Sequence, residues 1–272
     1  GEGHHVRIYD DESQTRLPLP PLAPSGPLNG TITAAGETLY LTSAWGDPYD
    51  KASIPMAPVS YSDVYRYDGE SGTFTRLTHR QRLTQPAVSP DGSRLVAIQS
   101  HEDRWRLVSV DTETGELTVL HDREAGHVFE PHFSPDGETL IFIENVEGLS
   151  TLAMLDAQGT VSTLWEHEPV EIRNPRFVDE RRVWFASDGM GPLALFETEV
   201  VDGSRYRILS DGFGITGAIQ LNDRVVYETY MAHGVALREA PLGALTRVPV
   251  PPVDMPAGTM RIESATRALE SN

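Results

Sequence analysis

Val88-Ser89-Pro90-Asp91-Gly92 precedes the apolar run Leu95-Val96-Ala97-Ile98, and Phe133-Ser134-Pro135-Asp136-Gly137 precedes Leu140-Ile141-Phe142-Ile143. Proline sets φ at the first corner of a turn. Aspartate accepts backbone hydrogen bonds, and glycine takes the position with φ > 0. Flanked by apolar runs, the motif predicts a tight β-hairpin. The two copies lie 45 residues apart.

A hairpin that returns at this interval indicates a repeat architecture, and four strands in roughly 40–50 residues make a β-propeller blade. Working outward from the first copy, strand A is Pro86 to Val88 and strand B is Arg94 to Ser100. Strand C is Trp105 to Val110, and the turn Asp111 to Gly115 leads into strand D, Glu116 to Leu120. Each run is short and bounded by turn residues, as strands are. The second copy reads in the same order: Pro131 to Phe133, Leu140 to Glu144, Thr151 to Leu155, then Thr160 to Trp165. A third has Phe177-Val178-Asp179-Glu180 in place of the hairpin turn, with Val183 to Ala186 as strand B and Tyr206 to Leu209 as strand D. A fourth runs from Ile215 to Leu221, Val225 to Tyr230 and Val235 to Arg238, and Leu245 to Val250 is expected as its last strand. The strand B anchors Leu95, Leu140, Val183 and Val225 are spaced by 45, 43 and 42 residues.

An earlier copy covers Thr31 to Leu77, with a swollen B–C loop from Trp45 to Ser62. Before it, Val6 to Asp10 and Thr15 to Leu17 read as a C–D hairpin alone. The expected organisation is a partial blade at 4–20 and blades at about 28–79, 82–122, 126–167, 171–211 and 214–250. A Pro-rich linker or ring-closing tail follows at 251–272. The fold class is therefore an all-β propeller, six-bladed or five blades and a part.

The 272 residues contain no cysteine, which excludes a disulfide framework and a cysteine metal site. The balance of 22 Lys+Arg against 40 Asp+Glu gives a formal charge of −18. Such a surface repels nucleic acid and anionic lipid, and neither is expected as a partner. No run of 18 apolar residues predicts a transmembrane segment.

The pattern Pro-x-Φ-Ser-Pro-Asp-Gly-x-x-Φ-x-Φ, closed by an Asp-to-Gly turn, is quoted by Pro86 to Ile98 with Asp111 to Gly115. It is quoted again by Pro131 to Ile143 with Asp156 to Gly159. It resembles the WD40-like (PD40) propeller repeats of the TolB family over about residues 6 to 250. That resemblance implies a six-bladed ring, a periplasmic or cell-envelope location and action through protein–protein contact. The same repeat occurs in the propellers of prolyl-oligopeptidase relatives and in oligogalacturonate lyases. One fold hosts many activities, so function must be argued from a site.

The chain has no Gly-x-Ser-x-Gly elbow, and neither His101-Glu102 nor His167-Glu168 completes His-Glu-x-x-His. No phosphate-cradling glycine loop is present. Eight of the nine histidines map to one face of the ring: His101 and His233 in B–C loops, His79, His121, His127 and His167 in D–A connections, and His4 and His5 before a strand C. His132 falls at the start of a strand A. The functional reading of this distribution is a metal or pH-sensitive partner site, with His127, Glu130 and His132 as its local candidates. The plain reading is that histidine suits polar loops and that tight turns on the other face exclude it.

The Trp45–Ser62 loop is a second candidate, because loops this long in a compact domain are functional or disordered. Its aromatics Trp45, Tyr49 and Tyr61 are the residue types that anchor binding surfaces. Trp105, Trp165 and Trp184 lie in strand runs and are expected in the core. Trp105, next to the His101 loop, also stands among the binding candidates. The expected function is a non-catalytic protein-binding scaffold of the bacterial envelope, a module of a larger polypeptide attached to an envelope or outer-membrane domain, with no cofactor. The alternative is an enzyme. It would be either a lyase holding a divalent cation such as Mn²⁺ or Ca²⁺ at His127 and His132, or the substrate-gating propeller of a peptidase whose catalytic domain lies elsewhere.

Overall fold

A computed structural model describes residues 7–9, 14–16, 32–43, 61–124, 126–168, 170–232 and 234–250. Within them the Ser-Pro-Asp-Gly stretches are turns. Gly92 N donates to Ser89 O at 2.9 Å, and Gly92 sits at φ 77°. Asp91 ties the turn together by accepting from Ser89 Oγ at 2.6 Å and Ser93 N at 3.0 Å. These donors hold its carboxyl down at about 2, the Ser89 hydroxyl contributing most. Asp136 does the same for Ser134 (2.5 Å) and Glu138 N (2.9 Å).

The strands that these turns join form antiparallel sheets in chain order. β1 (Arg7–Tyr9) and β2 (Gln14–Arg16) make the expected lone hairpin. β3 (Ile32–Ala35), β4 (Thr38–Ser43), β5 (Asp63–Asp68) and β6 (Thr73–Arg76) make the first four-stranded blade. β7 (Leu83–Val88), β8 (Leu95–His101), β9 (Arg104–Val110) and β10 (Leu117–His121) make the second. β11 (Gly126–Phe133), β12 (Leu140–Val146), β13 (Leu149–Leu155) and β14 (Val161–Glu168) make the third. A single parallel bridge, His127 to Trp105, joins the second and third. β15 (Ile172–Phe177), β16 (Arg182–Ser187), β17 (Ala194–Glu199) and β18 (Arg205–Leu209) make the fourth. β19 (Ile215–Leu221), β20 (Arg224–Met231) and β21 (Gly234–Pro241) follow as three strands.

The segment Leu245 to Val250 departs from expectation. Its strand β22 (Val248–Pro249) pairs with β18 of the preceding blade, Tyr206 to Pro249 and Arg207 to Val248, and not with β21. Val250 N adds a bond to Arg205 O at 2.9 Å. Charge explains the choice. Arg247 meets the buried Glu197 at 2.5 Å and Glu199 at 3.3 Å, and lies 5.1 Å over the Tyr206 ring. Glu197 is also met by Arg182 at 3.6 Å and by the Trp184 indole N–H at 2.9 Å, and Arg247 completes the set of partners that this buried carboxylate needs.

The core lies between successive blades. Tyr40, Val64 and Leu77 of the first pack on Leu95, Ala97 and Val108 of the second. Val96, Ile98 and Leu107 of the second pack on Val128, Leu140 and Phe142 of the third. Ile141, Ile143 and Trp165 of the third meet Val183, Phe185 and Phe196 of the fourth. Trp184, Leu195 and Ile208 meet Ile215, Val225 and Tyr227. Alternate residues of one strand thus serve opposite cores. Both faces are buried, so strand B reads as an unbroken apolar run.

Some turn glycines also carry blade contact. Gly115 lies at φ 74°, and a Cβ there would overlap the carbonyl oxygen of Leu77 in the preceding blade. Gly159, the matching turn one blade later, lies at φ 82° with open space around it. Gly159→Ala should cost only left-handed backbone strain, ~1–2 kcal/mol. Gly115→Ala should cost clearly more, because backbone must move. Thermal melts of the two variants test this, and equal losses would remove the blade contact from the account.

Candidate functional site

The inner strands of four blades, β3, β7, β11 and β15, converge on a cavity of about 770 Å³. Each of the last three carries a polar residue followed by proline: Gln85-Pro86, Glu130-Pro131 and Asn174-Pro175. All three polar residues have positive φ, at 50°, 51° and 49°. At each, the register with the next strand shifts, so each is a β-bulge. A non-glycine residue held in this region costs about 1–3 kcal/mol.

Hydrogen bonds between blades offset that strain. Glu130 N donates to Gln85 Oε1 at 2.7 Å, and Asn174 N donates to Glu130 Oε2 at 2.5 Å. Asn174 Nδ2 then donates to Thr216 O of the next inner strand at 2.8 Å. Gly217 takes the place of proline in β19, and there a Cβ would press on the Asn174 side chain at 3.0–3.2 Å. At Glu130 and Asn174 the bulge turns a backbone N–H out of its own ladder, and the side chain of the blade before receives it.

The relay leaves a charged interior. Burial pushes the Glu130 carboxyl above its ordinary value, against the opposing pull of the Asn174 N–H and the cations Arg173 and Arg176. His132 lines the cavity with its Nδ1 buried and unpartnered among the described residues. Burial, then the charge of Arg176, lowers it to about 4, so its ring is neutral at physiological pH. Arg176 lines the same cavity and is itself exposed there. Burial of its surroundings disfavours its charge, and Glu130 favours it. Pro86, Pro131, Pro175, Ala87, Val88 and Phe133 supply the apolar part of the wall.

The candidates from sequence fall into separate places. Glu130 and His132 do share the cavity wall, with Trp105 at its edge. Trp105 is 40 % exposed and is not a core residue, which corrects the expectation from its strand run. It is outward-facing at the start of β9, where it meets His127 and Phe129 edge-on at 5.7 and 5.0 Å. Trp165 and Trp184 are buried as expected. His127 is not in the cavity wall. It sits in β11 opposite Asn145, inside that ring cluster, with its Nδ1 also unpartnered among the described residues. His101 ends β8 opposite Arg104, half-buried, and not in a loop. His121 also ends a strand, where its Nε2 meets the buried Glu144 at 2.8 Å beside Arg123. Tyr61 is half-buried, with Arg82 stacked 5.5 Å above its ring. Trp45, Tyr49, His4, His5 and His233 lie outside the described residues. Gln85, Asn174 and Arg176 were not visible as site residues. The signal that finds them is the polar-Pro pair, whose bonded members recur at 45 and 44 residues.

No family model matches the chain. Among curated proteins it is 34 % identical over 146 residues to an uncharacterised peptidase, YuxL, of Bacillus subtilis, covering 52 % of this chain and 21 % of that protein. It is 30 % identical over 98 residues to an oligogalacturonate lyase of Dickeya dadantii, covering 34 % and 25 %. The matches therefore span about a fifth to a quarter of those relatives. Among solved structures, a puromycin hydrolase variant complexed with PGG superposes with a TM-score of 0.66 at 15 % identity, over 89 % of this chain and 41 % of that one. A TolB-like protein of Agrobacterium tumefaciens gives 0.64 at 16 %, over 81 % and 79 %. An oligogalacturonate lyase in complex with manganese gives 0.59 at 14 %, over 90 % and 72 %. These likenesses establish a TolB-like β-propeller fold. Among the described residues, no three His, Asp or Glu side chains are grouped to hold a metal ion. His132 has Arg176 for a neighbour, and His127 sits among aromatic rings. That donor set does not fit a divalent cation.

His132 makes stability depend on pH with a definite sign. Its folded value of about 4 lies below its ordinary 6.5, so between these values the unfolded chain binds the extra proton. The contribution is complete above pH 6.5 and is lost as pH falls towards 4. Between pH 7 and pH 5 the loss should reach about 2 kcal/mol. His132→Gln should remove that part of the pH dependence in urea unfolding. An unchanged difference between the two pH values would mean that His132 is not held neutral.

Proposed function

We propose that this chain is a non-catalytic binding propeller that admits peptide to a peptidase. The observation that carries the reading is the central cavity. It is walled by proline and aliphatic side chains, and a few polar groups are fixed by the bulge relay. Concave, largely apolar sites with sparse, well-placed polar groups are where ligands bind. Arg176 is exposed on that wall, so the cavity is reached by solvent. The chain itself offers no nucleophile elbow, which suits a module that receives substrate and leaves the chemistry to a neighbour. The YuxL match supports this reading, because it covers only part of a longer peptidase. So does the fold likeness to puromycin hydrolase over 41 % of its chain.

A second reading, a protein-binding scaffold in the periplasm or cell envelope, is supported by the TolB-like neighbour. There the likeness covers 79 % of the other chain. That reading takes the Trp45–Ser62 stretch as the partner contact, and residues 45–60 of it lie outside the described residues.

An immunoblot of fractionated cells that make the protein separates the two. The peptidase reading expects a band well above the 30.0 kDa of this chain, co-purifying with hydrolysis of peptide substrates. A band near that mass in the periplasm, without peptide hydrolysis, would overturn it in favour of the scaffold.

A further inference from the structure

We propose that Arg176 and His132 form a carboxylate-binding site in the central cavity, and that its ligand is the free C-terminus of a peptide. The guanidinium of Arg176 has no hydrogen bond or ion pair among the described residues. Burial around it already weighs against its charge. Its donors face the solvent of the cavity and are spent on no group among the described residues, so they are free for an anion that enters. Its planar fork matches a carboxylate in two parallel hydrogen bonds.

The acidic side chain nearest in the wall does not fill that role. Glu130 influences Arg176 electrostatically but forms no ion pair with it within 4.0 Å. One Glu130 oxygen is committed to the backbone N–H of Asn174. The wall carboxylate thus stands near the cation without pairing with it. His132 stands beside Arg176 as a neutral imidazole, able to donate one further hydrogen bond to an anion without adding charge. The rest of the wall sets proline, aliphatic and aromatic side chains beside the neutral polar groups of Thr33, Thr84, Gln85 and Asn174, so among the described residues no second cation competes for the anion there.

Size and charge narrow the ligand. About 770 Å³ holds several residues of an extended peptide, far more than a free inorganic anion needs. The chain carries a formal net charge of −18, so an anion taken up from solution is held by this local pair and not by the general field. The choice of a peptide as the owner of the carboxylate rests on the peptidase reading above. A sugar acid presents the same chemistry and is the other source to be distinguished.

Isothermal titration of the full 272-residue chain with three probes tests the site: an N-acetylated tripeptide with a free C-terminus, its C-terminal amide, and digalacturonate. The site predicts that the free acid binds at least tenfold more tightly than the amide, and that Arg176→Gln abolishes the difference. Arg176→Lys should retain part of the preference, since charge remains and the fork is lost. His132→Gln should weaken the free acid several-fold and leave the amide unchanged. Equal binding of acid and amide, no binding of any probe, or an unchanged preference in Arg176→Gln would overturn the site. Binding of digalacturonate alone would keep the carboxylate contact but overturn the peptide as ligand, and with it the peptide-admitting role. Matching near-UV circular dichroism of the variants confirms that each is folded.

Discussion

The structure depends on a backbone conformation that its residues resist. Gln85, Glu130 and Asn174 are not glycine, each precedes a proline, and each sits in the left-handed region. The residue before a proline is already restricted by the ring, so these positions hold their shape only because their surroundings fix it. What fixes them is the next blade. Every bulge side chain accepts or donates one bond across the blade boundary, from Gln85 to Glu130 to Asn174 to Thr216. Local strain is exchanged for tertiary connection, and the inner strands meet at a defined separation. The cavity between them is the space that this separation leaves.

Farther from the centre, the blades hold one another by ordinary burial. The B strands β8, β12 and β16 each present alternate residues to two different cores, so neither face of those blades is free to be polar. A cluster of large aromatic side chains lies between the third and fourth blades, where Trp165 meets Phe185 and Phe196 edge-on at 5.0 and 5.9 Å. Arg205 covers the Trp165 ring at 4.2 Å. Turns add a second set of links: Arg94 in one hairpin donates to the carbonyl of Gly137 in the next at 2.8 Å and stacks over Phe133. The same turn that closes a blade therefore also registers it against its neighbour.

This division explains what the sequence could and could not disclose. Turn chemistry is local, so Ser89 to Gly92 and Ser134 to Gly137 announced their hairpins, and the apolar runs of strand B announced two-sided burial. Trp105 looked like its neighbours in strand C, but its strand starts at the blade's end. There the side chain escapes the core and stands 40 % exposed beside His127 and Phe129. Val248–Pro249 had the composition of a last strand. The ion pairs of Arg247 with Glu197 and Glu199 decided which blade it joined, and such pairs leave no periodic trace. The bulge residues leave little trace in the sequence for a different reason. Gln, Glu and Asn share no chemical class that a pattern would display, yet each has a side-chain oxygen on an amide or carboxylate, and two of those oxygens accept the N–H that the next bulge exposes.

The same substitution pattern makes the cavity chemically uneven. Gln85 and Asn174 are neutral, and only Glu130 brings a charge into the relay. A neutral amide would complete the backbone bond as well, so the relay alone does not require a carboxylate there. Its presence favours the charge of Arg176 in a wall whose other side chains are neutral. Yet one of its oxygens is taken by Asn174 N, and it forms no ion pair with the guanidinium. Glu130 thereby supports a cation without satisfying it. A full ion pair would have traded that open guanidinium for a stable wall, and a neutral residue would have left the cation unsupported.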